Sequence, residues 1–454
     1  MITLKNLAYM RCDDDEKAFY DDLGTLKISI DNCCKLVLTD ITRDPNSQVS
    51  DEFDWLSREA AFRGHLECLK YSHARGFLFD DELCGLAAAH SNLECLIYAH
   101  ENGCRLDAIT CGQAAFGGSV DCLRYARENG GQWNEMTCYW AALHGNLDCL
   151  RYAHKNGCRW DETTCEVAAS CGNLDCLIFA HENGCRWDKR TCEAAAGSGW
   201  LDCLRYAHEN GCSWDDTTCD AAARGGSLDC LMYAFESGCG WDEVTCQLAA
   251  LDGHLHCLIY AHENGCRWDR MTCEAAATNG HLDCLVYAHE NGCRWDETTC
   301  EEAASGGHIE CLRYAHENGC PWNRLTYESA ACYGRFEILR YAHENGCPTS
   351  ERACEYAAGL GDLDCLRYAH ENGCPWTEDT CIEAACYGHF GCLLYAIENG
   401  CPFTEQTYMV AAASNNEDCF RYVESKCTIF MIEYHEPVDE WGLPLSLANT
   451  QPPS

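Results

Sequence analysis

A glycine returns every 27 residues along this chain, from Gly76, Gly103 and Gly130 through to Gly373 and Gly400, without one insertion or deletion. A fixed period in this range marks a stacked repeat array, because one unit is too small to bury its own apolar face. The 454 residues therefore need not divide into the separate globular domains that length alone suggests. Such an array presents an extended surface. A catalytic site would need some unit to break the pattern, and none is enlarged.

The unit from Gly184 to Asn210 shows the local design. Asp188 fills a helix N-cap slot that elsewhere holds Asp107, Asn134, Asp161, Asp215, Asp242, Asp269, Asp296, Asn323, Ser350, Thr377 and Thr404. These side chains accept hydrogen bonds from the free N–H groups of a first turn, each worth roughly 1 kcal/mol. Trp187 precedes the cap and Cys192 falls at the fourth helical position, the spacing of a hydrophobic staple. Cys192, Ala195 and Ala196 share one helical face. The double alanine recurs from Ala60-Ala61 to Ala411-Ala412 and admits a close neighbouring helix.

Gly199 breaks this first helix. The second carries Leu201, Cys203, Leu204, Tyr206 and Ala207, a stripe wide enough for burial on two sides. Gly211, after Asn210, ends it in a left-handed turn. Each unit is thus two helices of about ten residues, too short to be stable alone in water. The fold class predicted is an all-α solenoid of about fourteen stacked helix pairs, spanning residues 51–427.

These residues resemble an ankyrin repeat. Thr217-Thr218-Cys219-Asp220-Ala221-Ala222-Ala223 falls where that family has T-P-L-H-x-A-A, and Gly280-His281-Leu282-Asp283-Cys284-Leu285 where it has G-H-L-E-V-V. Gly292-Cys293 matches its terminal G-A. The family unit is about 33 residues long, so about six are missing here, at the place of its β-hairpin finger. The short form rich in Cys and Trp is similar to arrays abundant in giant DNA viruses of amoebae and in some protists. The resemblance implies a surface for another protein, without catalysis, made by finger tips and by the ends of first helices. With fingers shortened or absent, the helix ends remain. The pairs just before the mid-repeat glycine vary from unit to unit, and we take as candidate contacts Leu143, His144, Ser170, Arg224, Leu251, Asp252, Thr278, Asn279, Tyr333, Leu360 and Tyr387.

Charge narrows the partner. Lys and Arg total 32 against 72 Asp and Glu, a formal net charge of -40. That field repels phosphate backbones and anionic membranes and favours a basic protein. No apolar run is long enough for a membrane-spanning helix, and Met1–Leu26 has no secretory pattern. We expect an intracellular, cytoplasmic monomer (in the host cytoplasm if the chain is viral) with no cofactor, since no phosphate-binding glycine loop or nucleophile–base pair occurs.

Most of the 42 cysteines fall in three slots per unit, such as Cys212, Cys219 and Cys230. Tyr327 and Tyr408 replace the second, Ile338 the third and Phe77 the first, which a metal-ligand slot would not allow. No C-x-x-C occurs. Equivalent cysteines in packed helices lie about 8–10 Å apart, beyond the roughly 7 Å that a disulfide spans. Buried packing is the expected role. His100, His154, His181, His208, His262, His289, His316, His343 and His370 precede Asn-Gly by two residues, a place that suits a helix C-terminal dipole without any metal.

Residues 1–50 fall outside the period and are expected to cap the first unit. Ile429–Tyr434 is apolar enough to pack on the last, and residues 428–454 are read as a cap and a fraying tail. The leading function is a protein-interaction scaffold or adaptor. Two alternatives are a ubiquitin-ligase substrate receptor docking through residues 1–50, and a thiol-rich metal or redox buffer.

Overall fold

The computed structural model describes residues 56–76, 79–80, 82–414 and 416–434, with backbone alone beyond residue 426. The expectations for residues 1–50, for the apolar side chains of Ile429–Tyr434, for Phe77 and for the tail after Tyr434 lie outside what is described. Among the described residues there are 28 helices and no strand. They alternate as fourteen pairs, and the fold is an all-α solenoid. Contacts divide the chain into two compact units, one ending at Ala222 but including Asp229–Gly240, the other comprising Ala223–Leu228 and the residues from Trp241 on.

Most helices span nine residues, as in Lys189–Gly197 and Leu201–Glu209. The caps form as the sequence indicates. Asp188 Oδ1 accepts from the Arg190 N–H at 3.0 Å, and Asp242 Oδ1 from Val244 at 2.8 Å. Ser350 reaches the Arg352 N–H at 3.4 Å, with that helix starting one residue later. At Thr404 the reciprocal bond is the clear one: its N–H donates to the Thr407 hydroxyl at 3.2 Å. The second helix ends through the left-handed Gly211, at φ 85°, while the Cys212 N–H closes on the Ala207 carbonyl at 3.0 Å. That pattern is a Schellman closure.

Within each unit, first helices pack closely on first helices, and second helices stand further apart. The double alanine permits this. Ala195, Ala196 and their equivalents are fully buried, with Cys203, Leu204 and Ala207 buried on the second helix. Leu201 and Tyr206 are only half-buried, so the second-helix stripe is narrower than its sequence suggests. Trp187 has a partner that its sequence position did not indicate. Trp187 stacks flat on the ring of His181, with centroids 3.7 Å apart, while Cys192 is sealed in the core.

Adjacent repeats are tied through the carbonyls that end each first helix. The Asn173 side-chain amide donates to Ala142 O at 2.8 Å and to Leu143 O at 2.9 Å, both in the preceding repeat. Asn146 does the same for Ala115 and Phe116. Where Trp200 occupies this slot, its indole N–H donates to Ser170 O at 3.0 Å. Carbonyls at a helix C-terminus lack the usual partner one turn on; Ala142 and Ala115 each accept a glycine N–H in the closing turn at 3.3 Å, and the next repeat's amide adds a second bond.

This arrangement explains one of the two glycines per unit. A Cβ on Gly145 would lie 2.6 Å from Asn173 Oδ1, whereas one on Gly157 would meet nothing within 4 Å. Both residues have positive φ. Gly157→Ala should therefore cost only the left-handed strain of about 1–2 kcal/mol. Gly145→Ala should add about 1–3 kcal/mol for displacing the bridging amide. Urea unfolding midpoints at unchanged slope test the difference, and equal midpoints would show that the bridge contributes nothing.

Candidate interaction surface

The cysteine and histidine columns belong to the framework. First-slot thiols donate to the N-cap carbonyl of the preceding repeat: Cys158 to Asn134 O at 3.1 Å, Cys212 to Asp188 O at 3.0 Å, Cys293 to Asp269 O at 3.0 Å and Cys374 to Ser350 O at 2.8 Å. A second-slot thiol meets the first-slot thiol of the following repeat. The hydrogen bond from Cys138 to Cys158, together with burial, holds the Cys138 proton well above the ordinary thiol range. Burial likewise pushes the third-slot Cys149 up to about 12 and Cys257 up to about 11. These thiols do more than fill space, because they supply donors between repeats.

Histidines make a second tie. His181 Nδ1 lies 3.0 Å from the Tyr206 hydroxyl of the next repeat, and His208 and His262 repeat the bond to Tyr233 and Tyr287 at 3.0 and 3.1 Å. Each ring also stacks on a tryptophan, as His289 does on Trp295 at 3.6 Å. Among the described residues no group of three or more His, Cys, Asp or Glu side chains is placed to hold a metal ion. No helix among them is long and apolar enough to cross a membrane.

What varies between repeats lies on the open side of the first helices. Of the eleven candidate residues, His144, Arg224, Asn279, Tyr333, Leu360 and Tyr387 are exposed. Leu143, Ser170, Leu251, Asp252 and Thr278 are half-buried. Several of these are engaged internally. The Ser170 hydroxyl donates to Val167 O at 3.0 Å and that of Thr278 to Glu274 O at 2.8 Å. The Asn279 amide reaches Leu251 O at 2.8 Å, and Arg224 pairs with Asp252 at 3.5 Å. Tyr333, Leu360 and Tyr387 instead form a continuous apolar edge in the second unit. Leu360 lies over the glycine after Tyr333, and Tyr387 over Gly359.

The helix-end pairs are only part of this variable face. Two residues after the N-cap stand Ile109, Met136, Arg190, Val244, Met271 and Leu325, all exposed. Five and six residues after it the side chains also change, from Tyr139 and Trp140 to Glu301 and Glu302. In the first unit, Phe116, Trp140 and His144 form an aromatic cluster across two neighbouring first helices, with Phe116 and His144 centroids 4.2 Å apart. The sequence carried the signal for these rows. Comparing every first-helix position between repeats, rather than the last pair alone, finds them.

No protein-family model matches the chain, and no curated protein matches it. Among solved structures, the ankyrin repeat domain of human ASB11 is similar at 19% identity, over 44% of this chain and 85% of that one, with a TM-score of 0.25. The solenoid stands on its own helix pairs.

Burial of the thiols has two measurable consequences. Of the described cysteines, only Cys171, Cys332 and Cys386 are not buried, so these should react with a thiol reagent at pH 8 while the rest wait for unfolding. Unfolded thiols ionise near pH 8.5, whereas Cys149 and Cys257 in the fold do so only near 12 and 11. Their stabilisation is complete below about pH 8.5 and is lost as pH rises toward the folded values. The urea midpoint should fall progressively from about pH 8.5 to 10.5, and a flat profile would contradict the burial.

Proposed function

We propose that this protein is a non-catalytic scaffold or adaptor that holds another protein against the variable face of its first helices. One observation carries this reading. Buried positions repeat almost unchanged, as Cys, Ala-Ala and Cys-Leu, while solvent-facing positions of the same helices run through aliphatic, aromatic, acidic and basic side chains. Drift confined to a framework that holds its fold supplies a surface with a different chemistry in each repeat. Aromatic side chains grouped on neighbouring helices, as the exposed Phe116 and His144 are around the half-buried Trp140, suit a binding patch better than a solvated face.

The formal charge of -40 supports a basic partner, whose encounter it would accelerate at low salt. The resemblance to short, Cys- and Trp-rich ankyrin-type repeats supports an intracellular site of action, as a monomer, in the host cytoplasm if the chain is viral. A thiol buffer fits less well, because nearly all described thiols are buried. The ligase-receptor reading depends on residues 1–50, which the described residues do not include.

An affinity capture with mass spectrometry tests the scaffold reading, using wild type beside a variant altered at Leu143, His144, Leu251 and Tyr333. At least one protein captured by wild type should be lost or reduced at least tenfold, since truncating interface anchors commonly costs about 2 kcal/mol or more. Identical capture by both would place the binding surface elsewhere.

A further inference from the structure

The first helices of the second unit carry one carboxylate per repeat at the same height. Glu274, Glu301, Glu328 and Glu355 stand five residues after the N-cap slot in four consecutive repeats, and Glu302 and Glu383 add carboxylates one residue further on. Compensation is thin. Arg270 lies 3.6 Å from Glu274, and Arg324 lies 3.9 Å from Glu328, the sole ion-pair contact of that side chain among the described residues. Glu328 is nonetheless only 6% exposed. Glu301 has no ion pair among the described residues, and burial together with Glu302, Glu328 and Glu297 pushes its carboxyl up. Burial pushes Glu355 up as well, against a hydrogen bond from the Thr377 hydroxyl.

An apolar edge runs beside this row. Tyr333, Leu360 and Tyr387 are 57%, 48% and 65% exposed at the C-terminal ends of the same helices. Met271 and Leu325 are exposed at the N-terminal ends. The face therefore offers regularly spaced negative charge bordered by aromatic and aliphatic rings, and its spacing selects the conformation of what lies on it.

Packed helices stand about 8–10 Å apart. A polyproline-II chain returns to the same face every third residue after about 9.3 Å. A β-strand returns after about 6.6 or 13 Å, which misses the row. An α-helix matches only near every seventh residue, at about 10.5 Å, and overshoots further with each repeat. Aromatic-lined grooves are also the usual receptors for polyproline-II segments.

We propose that this face binds a polyproline-II segment of a partner protein. Its Arg or Lys residues, at every third position, run along this row and meet Glu274, Glu301 and Glu355, while the buried Glu328 contributes charge from beneath, and its proline or aliphatic residues lie against Tyr333, Leu360 and Tyr387. The proposal rests on the first-helix face being the interaction surface and gives that surface's partner a chemistry. Arg suits the row best, because its planar fork bonds a carboxylate through two N–H groups.

Labelled synthetic peptides titrated into the full chain and followed by fluorescence anisotropy test it. One is a proline-rich peptide with Arg at every third position. The second has the same composition with scrambled spacing, and the third places Arg at every seventh position on a helix-forming background. The period-three peptide should bind at least fivefold tighter than both others. It should weaken at least fivefold in Glu301→Gln/Glu355→Gln and in Tyr387→Ala, and weaken further as salt rises. Glu301→Gln removes an uncompensated charge, so unchanged urea midpoints should show that these variants stay folded. A preference below fivefold over the scrambled peptide, tightest binding by the period-seven peptide, or no binding at all would each overturn the proposal. If the four-site variant still loses captured proteins while the peptides fail, the surface stands and only the chemistry assigned to it falls.

Discussion

Backbone carbonyls at the ends of one repeat's first helix, to which the next repeat brings a further donor, tie this structure together. The first helix ends with the Leu143 carbonyl and with that of Ala142, which also accepts the Gly145 N–H at 3.3 Å, and the Asn173 amide of the following repeat bonds to both. The N-cap carbonyl of Asn134 accepts the Cys158 thiol in the same way. A helix of nine residues cannot repay its own nucleation in water, and each leaves polar groups that are costly to bury unpaired. Closing them across the interface makes each repeat a condition of its neighbour's stability. It also fixes the period, since one inserted residue would move every donor off its acceptor.

That dependence decides where recognition has room to act. Core alanines, third-slot cysteines and second-helix leucines are committed to packing, and thiols, bridging amides and the His–Tyr pairs to the ties between repeats. The open side of the first helices carries few of these duties, among them the Asn279 amide on Leu251 O and the Arg224–Asp252 pair. Its residues change from Ile109 to Met136 to Thr163 while Cys111, Cys138 and Cys165 beneath them stay the same and stay buried. In the first unit the result is an aromatic cluster around Trp140, and in the second an acidic row beside Tyr333, Leu360 and Tyr387. One framework thus carries surfaces of different chemistry.

Much of the fold was legible because its signals are local. An Asp or Asn before a helical run, a glycine after Asn, and Cys-x-x-Ala-Ala at helical spacing each act within a turn of the chain, so composition and offset reveal them. The ties between repeats were not legible in that way. His181 meets Tyr206 at an offset of 25, and Cys212 meets Asp188 at an offset of 24, distances at which no helical rule applies. Trp187 has a partner that the staple spacing did not name: the ring of His181, at the end of the helix before the one it introduces. At the candidate surface, the variation before each glycine pointed to the right side of the helix. It did not show that Ser170 and Thr278 spend their hydroxyls on their own helices, or that the variable face extends to Met136 and Glu301.

The central claim is that stability resides in the interfaces between repeats. Native-state hydrogen exchange on the full chain tests it most directly, because amide protection reports the local opening free energy residue by residue. Protection of the buried first-helix turns, such as the amides of Cys192 and Cys300, should exceed that of the corresponding turns in the first and last described repeats, which have a described neighbour on one side only. Equal protection from the first described repeat to the last would contradict it and would mean that each helix pair holds itself.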